Sequence, residues 1–349
     1  MKLEPFACGL VAFGSALFTT GRIDTHFHAL PPPYVDTLEE AGGDPSGYPT
    51  PIWSLEASVK SMDAIGTSIG ILSVSSPGVG IAGTGEKART LARTLNQQLG
   101  KYAQSDRYRG RIGFFGVLPD FEDVNGTLAE IQYLYEEQQL CVGVTIFTSY
   151  GGKLLGHPQF APIWAMLNKH EALVFLHPSV LDVVPHFIGP GIPQPIVDYP
   201  LATTRAAVDL VMTGTIRANP NIDIILSHAG GTVPFIGGRA INALGIPDIA
   251  GLANVNILQA KKDFARFYYD IALSTTAAQL DGLLDFANAD HILFGSDFPY
   301  VPQFGIDAIV ASYAKYVATN ARGSQIAPEV LRRNGLRLLN KHSQGQLYA

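Results

Sequence analysis

Two histidines one residue apart, His26 and His28 in "DTHFH" (24–28), close a short apolar run. In a strand alternate side chains share a face, so both imidazoles point the same way, with Asp24 beside them. Such a pair chelates one ion if the rest of the chain delivers further ligands. Alone the pattern is weak, because most H-x-H pairs are solvated or simply packed. Further polar residues recur at the ends of apolar runs. His177 closes "ALVFLHP" (172–178), His228 stands in "IDIILSHAG" (222–230) and Asp297 ends "HILFGSD" (291–297). A single histidine in that position is usually packed or hydrogen-bonded. Four runs ending in His or Asp call for a common explanation.

The elements supply it. Eight runs read as strands: 22–28, 68–76, 111–119, 141–147, 172–178, 222–230, 267–274 and 291–297. Amphipathic stretches such as "VNGTLAEIQYLYEEQ" and "QFAPIWAMLNKHE" lie between them. This alternation implies parallel strands with crossover helices. Eight units predict an α/β fold, a (β/α)₈ TIM barrel with a small insertion after strand 1. A doubly wound sheet gives similar local signals, but no G-x-G-x-x-G leads from a strand into a helix. The Pro- and Gly-rich stretches 31–53 and 178–200 read as long loops after strand C-terminal ends, the face where barrels build active sites. Closing the barrel gathers the polar strand ends around one axis, and the spacing then points to a metal.

Composition fits a large core and narrows the partners. The 349 residues are 47% hydrophobic and 15% charged, with a net charge of −6. The acidic balance, without a Lys/Arg cluster, excludes a nucleic-acid surface. Cys8 and Cys141 form no C-x-x-C and no disulfide framework. Residues 1–20 contain "FACGLVAFGSALFTT", of signal-peptide length but too short and Gly-broken for a membrane span. Glu4 and Pro5 stand where a signal prefers positive charge. Residues 1–20 therefore read as a packed extension of a cytoplasmic protein, with a secretory signal as the alternative. Residues 21–349 read as one barrel domain.

"DTHFH", "FLHP", "SHAGGTVPFIGGR" and "FGSDFP" together resemble the amidohydrolase superfamily, in the branch of aminocarboxymuconate-semialdehyde decarboxylase and related aromatic-acid decarboxylases. The resemblance runs from about Gly21 through nearly the whole chain. It implies that His26, His28, His177 and Asp297 hold one metal ion, while His228 stands beside it and moves protons or orients water. Three imidazoles and a carboxylate suit Zn²⁺, with Mn²⁺ or Fe²⁺ as alternatives. Two-metal relatives carry a carboxylated lysine at the end of strand 4. Here "TIFTSYGG" offers no lysine before Lys153, so one ion per chain is expected.

Two departures narrow the substrate. Resorcylate-type relatives have Glu in place of the first histidine and Glu three residues after the sixth-strand histidine; here these positions are His26 and Gly231. Semialdehyde-processing relatives grip a second carboxylate with an arginine where this chain has Ser58, with Lys60 nearby on the same helix. Loss of that clamp favours a monocarboxylate. The profile is most similar to fungal 6-methylsalicylate decarboxylases. It implies non-oxidative loss of CO₂ from 6-methylsalicylate to give 3-methylphenol in polyketide secondary metabolism, without an organic cofactor. His228 or Asp297 is the proton donor, and Trp53, Phe187, Phe298 and Arg239 are candidate substrate contacts. The same ligands suit a metal-dependent lactone or amide hydrolase as the alternative. In the semialdehyde decarboxylases the arginine matching Arg239 reaches into the partner's site, so a homodimer is expected, with residues 228–239 as a loop leaving the barrel mouth. His186 is a further candidate for the pocket, whereas His157, His170, His291 and His342 read as surface, structural or tail residues.

Overall fold

A computed structural model describes residues 21–138, 141–343 and 348. Ten strands appear among them: β1 (Arg22–Ala29), β2 (Thr67–Val74), β3 (Ile112–Val117), β4 (Gly143–Phe147), β5 (Ser149–Tyr150), β6 (Lys153–Leu154), β7 (Leu173–His177), β8 (Asp223–Leu226), β9 (Tyr268–Asp270) and β10 (Ile292–Leu293). Eight make one parallel sheet in the order β1-β2-β3-β4-β7-β8-β9-β10, and β5-β6 is a small antiparallel hairpin. Closure runs from the end of β10 to β1. The amide of Thr25 donates to Phe294 O (3.0 Å), that of Asp297 to His26 O (2.9 Å) and that of His28 to Phe298 O (2.7 Å). The result is a closed (β/α)₈ barrel. Each predicted run overlaps one barrel strand, because staves covered on both faces read as continuous β-branched and aromatic runs, though the last three strands are shorter than their runs.

Two apolar layers hold the barrel. Ile23, Ile69, Ile71, Phe115, Phe175, Ile225 and Leu293 fill its lower interior. The larger cluster lies between the strands and the helices, where Leu91, Leu95 and Leu99 of the helix Glu86–Gln104 join Phe114. The Phe115 and Phe175 rings stack at 5.3 Å, and Phe175 lies 5.1 Å beneath the His26 ring. An aromatic floor thus separates the packed interior from the polar C-terminal face.

Three local expectations are corrected. Asp24 does not share the histidines' environment: the β1–β2 register shifts between Asp24 and Phe27. Such a bulge breaks strict alternation, and the Asp24 carboxylate accepts from the backbone N–H groups of His26 (3.2 Å) and Ser296 (3.1 Å). Residues 31–53 are not all loop, because Pro32 and Pro33 start a helix, Pro32–Glu40, with their fixed φ. His342 is no tail residue. It ends the helix Pro328–His342, is buried, and bonds to Asp223 Oδ2 (2.8 Å) and Glu171 O (2.6 Å) at the strands' N-terminal ends. No helix among the described residues is long and apolar enough to cross a membrane. Residues 1–20 lie outside the described residues.

Candidate active site

Four strand ends bring their polar side chains to one point. His26 and His28 rise from β1, His177 ends β7, His228 follows β8 and Asp297 follows β10. His26 Nε2 lies 3.2 Å from His28 Nε2 and 3.4 Å from Asp297 Oδ1, and His28 Nε2 lies 3.1 Å from Asp297 Oδ1. Donor atoms of His26, His28 and His177 lie within 4.8 Å of one another, as do those of His26, His228 and Asp297. Ligands about 2.0 Å from a tetrahedral ion stand about 3.3 Å apart. The spacing fits one ion.

The surroundings aim the ring nitrogens. His26 Nδ1 donates to Asp270 Oδ2 (3.0 Å) and His177 Nδ1 to Pro178 O (2.8 Å), which turns Nε2 of each toward the cluster, where it would meet an ion once deprotonated. His28 Nδ1 lies 3.3 Å from Ser73 Oγ. His228 Nε2 stands 3.7 Å from Asp297 Oδ2, and its buried Nδ1 has no hydrogen-bond partner among the described residues. His228 and Asp297 are both held at positive φ (54° and 63°), a conformation that side chains with a Cβ disfavour and that recurs where a backbone must aim a functional group.

Electrostatics sorts the members. Burial disfavours charge on His26, but Asp270 and Asp297 outweigh it and raise its pKa to about 10. Burial lowers His28, and burial with the neighbouring imidazoles drives His177 well below the ordinary histidine value. For Asp297 burial pulls upward, yet His26 and the close imidazoles of His228 and His28 hold the carboxyl well below the usual carboxylate range. That direction suits Asp297 to ligate an ion. Asp270 was not anticipated. A lone carboxylate inside "FYYDIAL" was the available signal, and its Oδ1 also accepts from the backbone N–H groups of His228 (3.1 Å) and Ala272 (3.0 Å).

The cluster forms the inner end of a cavity of about 560 Å³. Tyr48, Tyr199 and Tyr300 supply its aromatic walls, and among the described residues no Lys or Arg lines it. Tyr300 lies edge-on to His28 at 5.3 Å, and its carbonyl oxygen accepts from Tyr48 Oη (2.9 Å). The anticipated contacts lie elsewhere. Phe298 faces outward and packs on Phe27 at 5.4 Å, because the residue after Asp297 points to the helix layer. Trp53 packs on Tyr102 (6.0 Å). Phe187 lies over Gly47, where an added Cβ would come within 2.4 Å of its ring. His186 holds Pro45 O (3.1 Å) and Gln194 (3.2 Å), pinning two mouth loops together. Residues 233–243 are a helix and not a loop, with Pro234 in its first turn, and Arg239 on it is exposed. Arg239 makes no hydrogen bond or ion pair with a described residue.

The departures also have physical causes. A Cβ on Gly231 would sit 1.9 Å from Pro200 O, so no glutamate fits there. Ser58 is buried and donates to Ser54 O (3.2 Å), while Lys60 is exposed. Neither lines the cavity. Lys153 pairs with Glu122 (2.5 Å), outside the cluster.

Comparison with known proteins gives the same picture. The amidohydrolase family model matches residues 23–341. The chain is 40% identical to 6-methylsalicylic acid decarboxylase of Penicillium expansum, over 82% of this chain and 87% of that protein. It is 39% identical to 6-methylsalicylic acid decarboxylase acuB of Aspergillus aculeatus, over 91% and 95%. A solved amidohydrolase II structure superposes with a TM-score of 0.80 at 26% identity, covering 91% of this chain and 99% of that one. A dihydroxybenzoic acid decarboxylase from Polaromonas with bound manganese and 2-nitroresorcinol shares the fold, with a TM-score of 0.71 at 20% identity over 92% and 97%.

Proposed function

The chain belongs to the amidohydrolase family, and from that premise we propose that it is a metal-dependent, non-oxidative decarboxylase converting 6-methylsalicylate to 3-methylphenol and CO₂. One observation carries the reading: a His₃Asp cluster ends a cavity that, among the described residues, no Lys or Arg lines. A substrate with one carboxylate, met by the cluster, fits such a cavity, whereas a dicarboxylate would bury an unpaired charge. The names and high coverage of the fungal relatives support the same substrate.

His26, His28, His177 and Asp297 would hold the ion. When bound, it supplies positive charge for the substrate's carboxylate and adjacent hydroxyl oxygen and stabilises developing negative charge. The donor spacing fits zinc, while the Polaromonas neighbour carries manganese; elemental analysis distinguishes them. His228 donates the proton, because Asp297 is one of the residues that would hold the ion while His228 stands beside them. The proton adds to the ring carbon bearing the carboxylate, the C–C bond then breaks, its electron pair restores the aromatic ring, and CO₂ leaves. The tyrosine walls orient the ring and limit water.

Arg239 lies on the same helix as Phe235, a cavity-lining residue 66% exposed at the mouth. This placement supports a homodimer in which Arg239 serves the neighbouring site. Mixing Arg239→Ala and His177→Ala subunits then restores activity in hybrid sites. No recovery despite demonstrated subunit exchange refutes the shared site. A role in polyketide secondary metabolism and a cytoplasmic location complete the reading.

The function is tested by incubating the protein with salicylate, 6-methylsalicylate and resorcylates, with and without a chelator. The expected result is 3-methylphenol from 6-methylsalicylate, lost on chelation. Turnover of none of these acids by metal-loaded protein refutes the proposal.

A further inference from the structure

Among the described residues, five other than glycine adopt positive φ: Glu171, His228, Ala229, Leu273 and Asp297. His228, Ala229 and Asp297 belong to the strand ends that build the cluster. Glu171 turns the chain at the opposite end, where its carbonyl oxygen accepts from His342 (2.6 Å). Leu273, at φ 53°, has neither reason. It is the third residue of the turn Ile271–Ser274, closed by the Ser274 amide donating to Ile271 O (3.0 Å). Turns with positive φ at that position favour Gly or Asn, and a bulky side chain there is an outlier.

Packing does not explain it either. Leu273 is 46% exposed and absent from both core clusters. It lines the cavity, three residues beyond the Asp270 that orients His26. Ile196 and Phe235, also lining, are more exposed at 57% and 66%. An apolar side chain is held in a disfavoured backbone close to the cluster, and retained strain marks a positional demand.

We propose that Leu273 is a specificity-determining residue whose isobutyl group packs against the alkyl substituent on the substrate's ring. The proposal rests on the decarboxylase reading and deepens it. With the carboxylate held at the cluster, a ring methyl offers only apolar contact, so discrimination between 6-methylsalicylate and salicylate must come from an apolar neighbour. Val301, four residues after Asp297, also lines the cavity, and of the two Leu273 is the one held in a disfavoured backbone.

The test compares kcat/KM on 6-methylsalicylate and salicylate for the wild type, Leu273→Ala and Leu273→Gly. One carbon in an apolar pocket is worth about 10–200-fold in discrimination. Both variants lack the side chain, so in both the wild-type preference for 6-methylsalicylate falls by about tenfold or more. The glycine variant melts about one to a few degrees above the alanine variant, because only glycine relieves the backbone. A wild type without preference, a preference that survives both substitutions, or an equal fall on both acids overturns the proposal. So does a glycine variant that melts below the alanine variant, since the positional demand rests on the strain. A wild type silent on both acids refutes the 6-methylsalicylate reading on which the proposal rests, a distinguishable result.

Discussion

Replacing Asp270 by asparagine removes one charge and almost no volume, yet the structure requires a large effect on metal binding. Asp270 Oδ1 accepts from two backbone N–H groups, those of His228 (3.1 Å) and Ala272 (3.0 Å). The amide oxygen of the substituted side chain must keep those bonds, which turns its NH₂ toward His26 Nδ1, which in the wild type lies 3.0 Å from Oδ2. Two donors cannot share that contact. His26 must then accept at Nδ1 and carry its proton on Nε2, which fills the lone pair that faces His28 and Asp297. The alternative flip sets NH₂ against both backbone donors. Loss of a carboxylate behind a ligating histidine costs about 10–100-fold in metal affinity, which is about 1.4–2.7 kcal/mol. Competition titration against a chromogenic chelator, with circular dichroism to establish folding, measures it. Parental affinity in folded Asp270→Asn would refute the tautomer argument and the assignment of Nε2 as the donor.

Further outcomes follow from the same geometry. His177→Ala binds the ion orders of magnitude more weakly by elemental analysis after gel filtration, whereas His228→Ala keeps it and loses roughly 10²–10⁴-fold in turnover. Phe298→Ala costs about 3–5 kcal/mol of stability in denaturant titration, since it opens the interface with Phe27. At the strands' N-terminal ends, burial raises the Asp223 carboxyl but His342 and Lys341 overcome it and hold the pKa below its ordinary value. A depressed carboxylate stabilises the fold above its unfolded pKa, and that stability is lost as pH falls through the folded value. Asp223→Asn should thus lower stability at neutral pH and flatten its loss below about pH 4, as thermal melts across pH will show.

Most of the scaffold was legible because buried parallel strands announce themselves as apolar runs, and the cluster was legible because its members end those runs. What escaped notice depended on direction and not on identity. A bulge turned Asp24 onto backbone amides, and the backbone after Asp297 sent Phe298 outward to Phe27. Pro32 and Pro234 read as loop signals, yet each stands in a first helical turn, where a missing N–H costs nothing. Asp270 sits inside an apolar run, and its importance emerges only when His26, 244 positions away in sequence, is brought to 3.0 Å.

The central claim is that a proton replaces the carboxylate on an intact ring. Turnover of 6-methylsalicylate by metal-loaded protein in D₂O, followed by mass spectrometry and NMR of the phenol, tests it most directly. The predicted products are CO₂ and 3-methylphenol carrying one deuterium at the carbon between hydroxyl and methyl. A product that keeps its carboxylate, or deuterium at any other carbon, would contradict it.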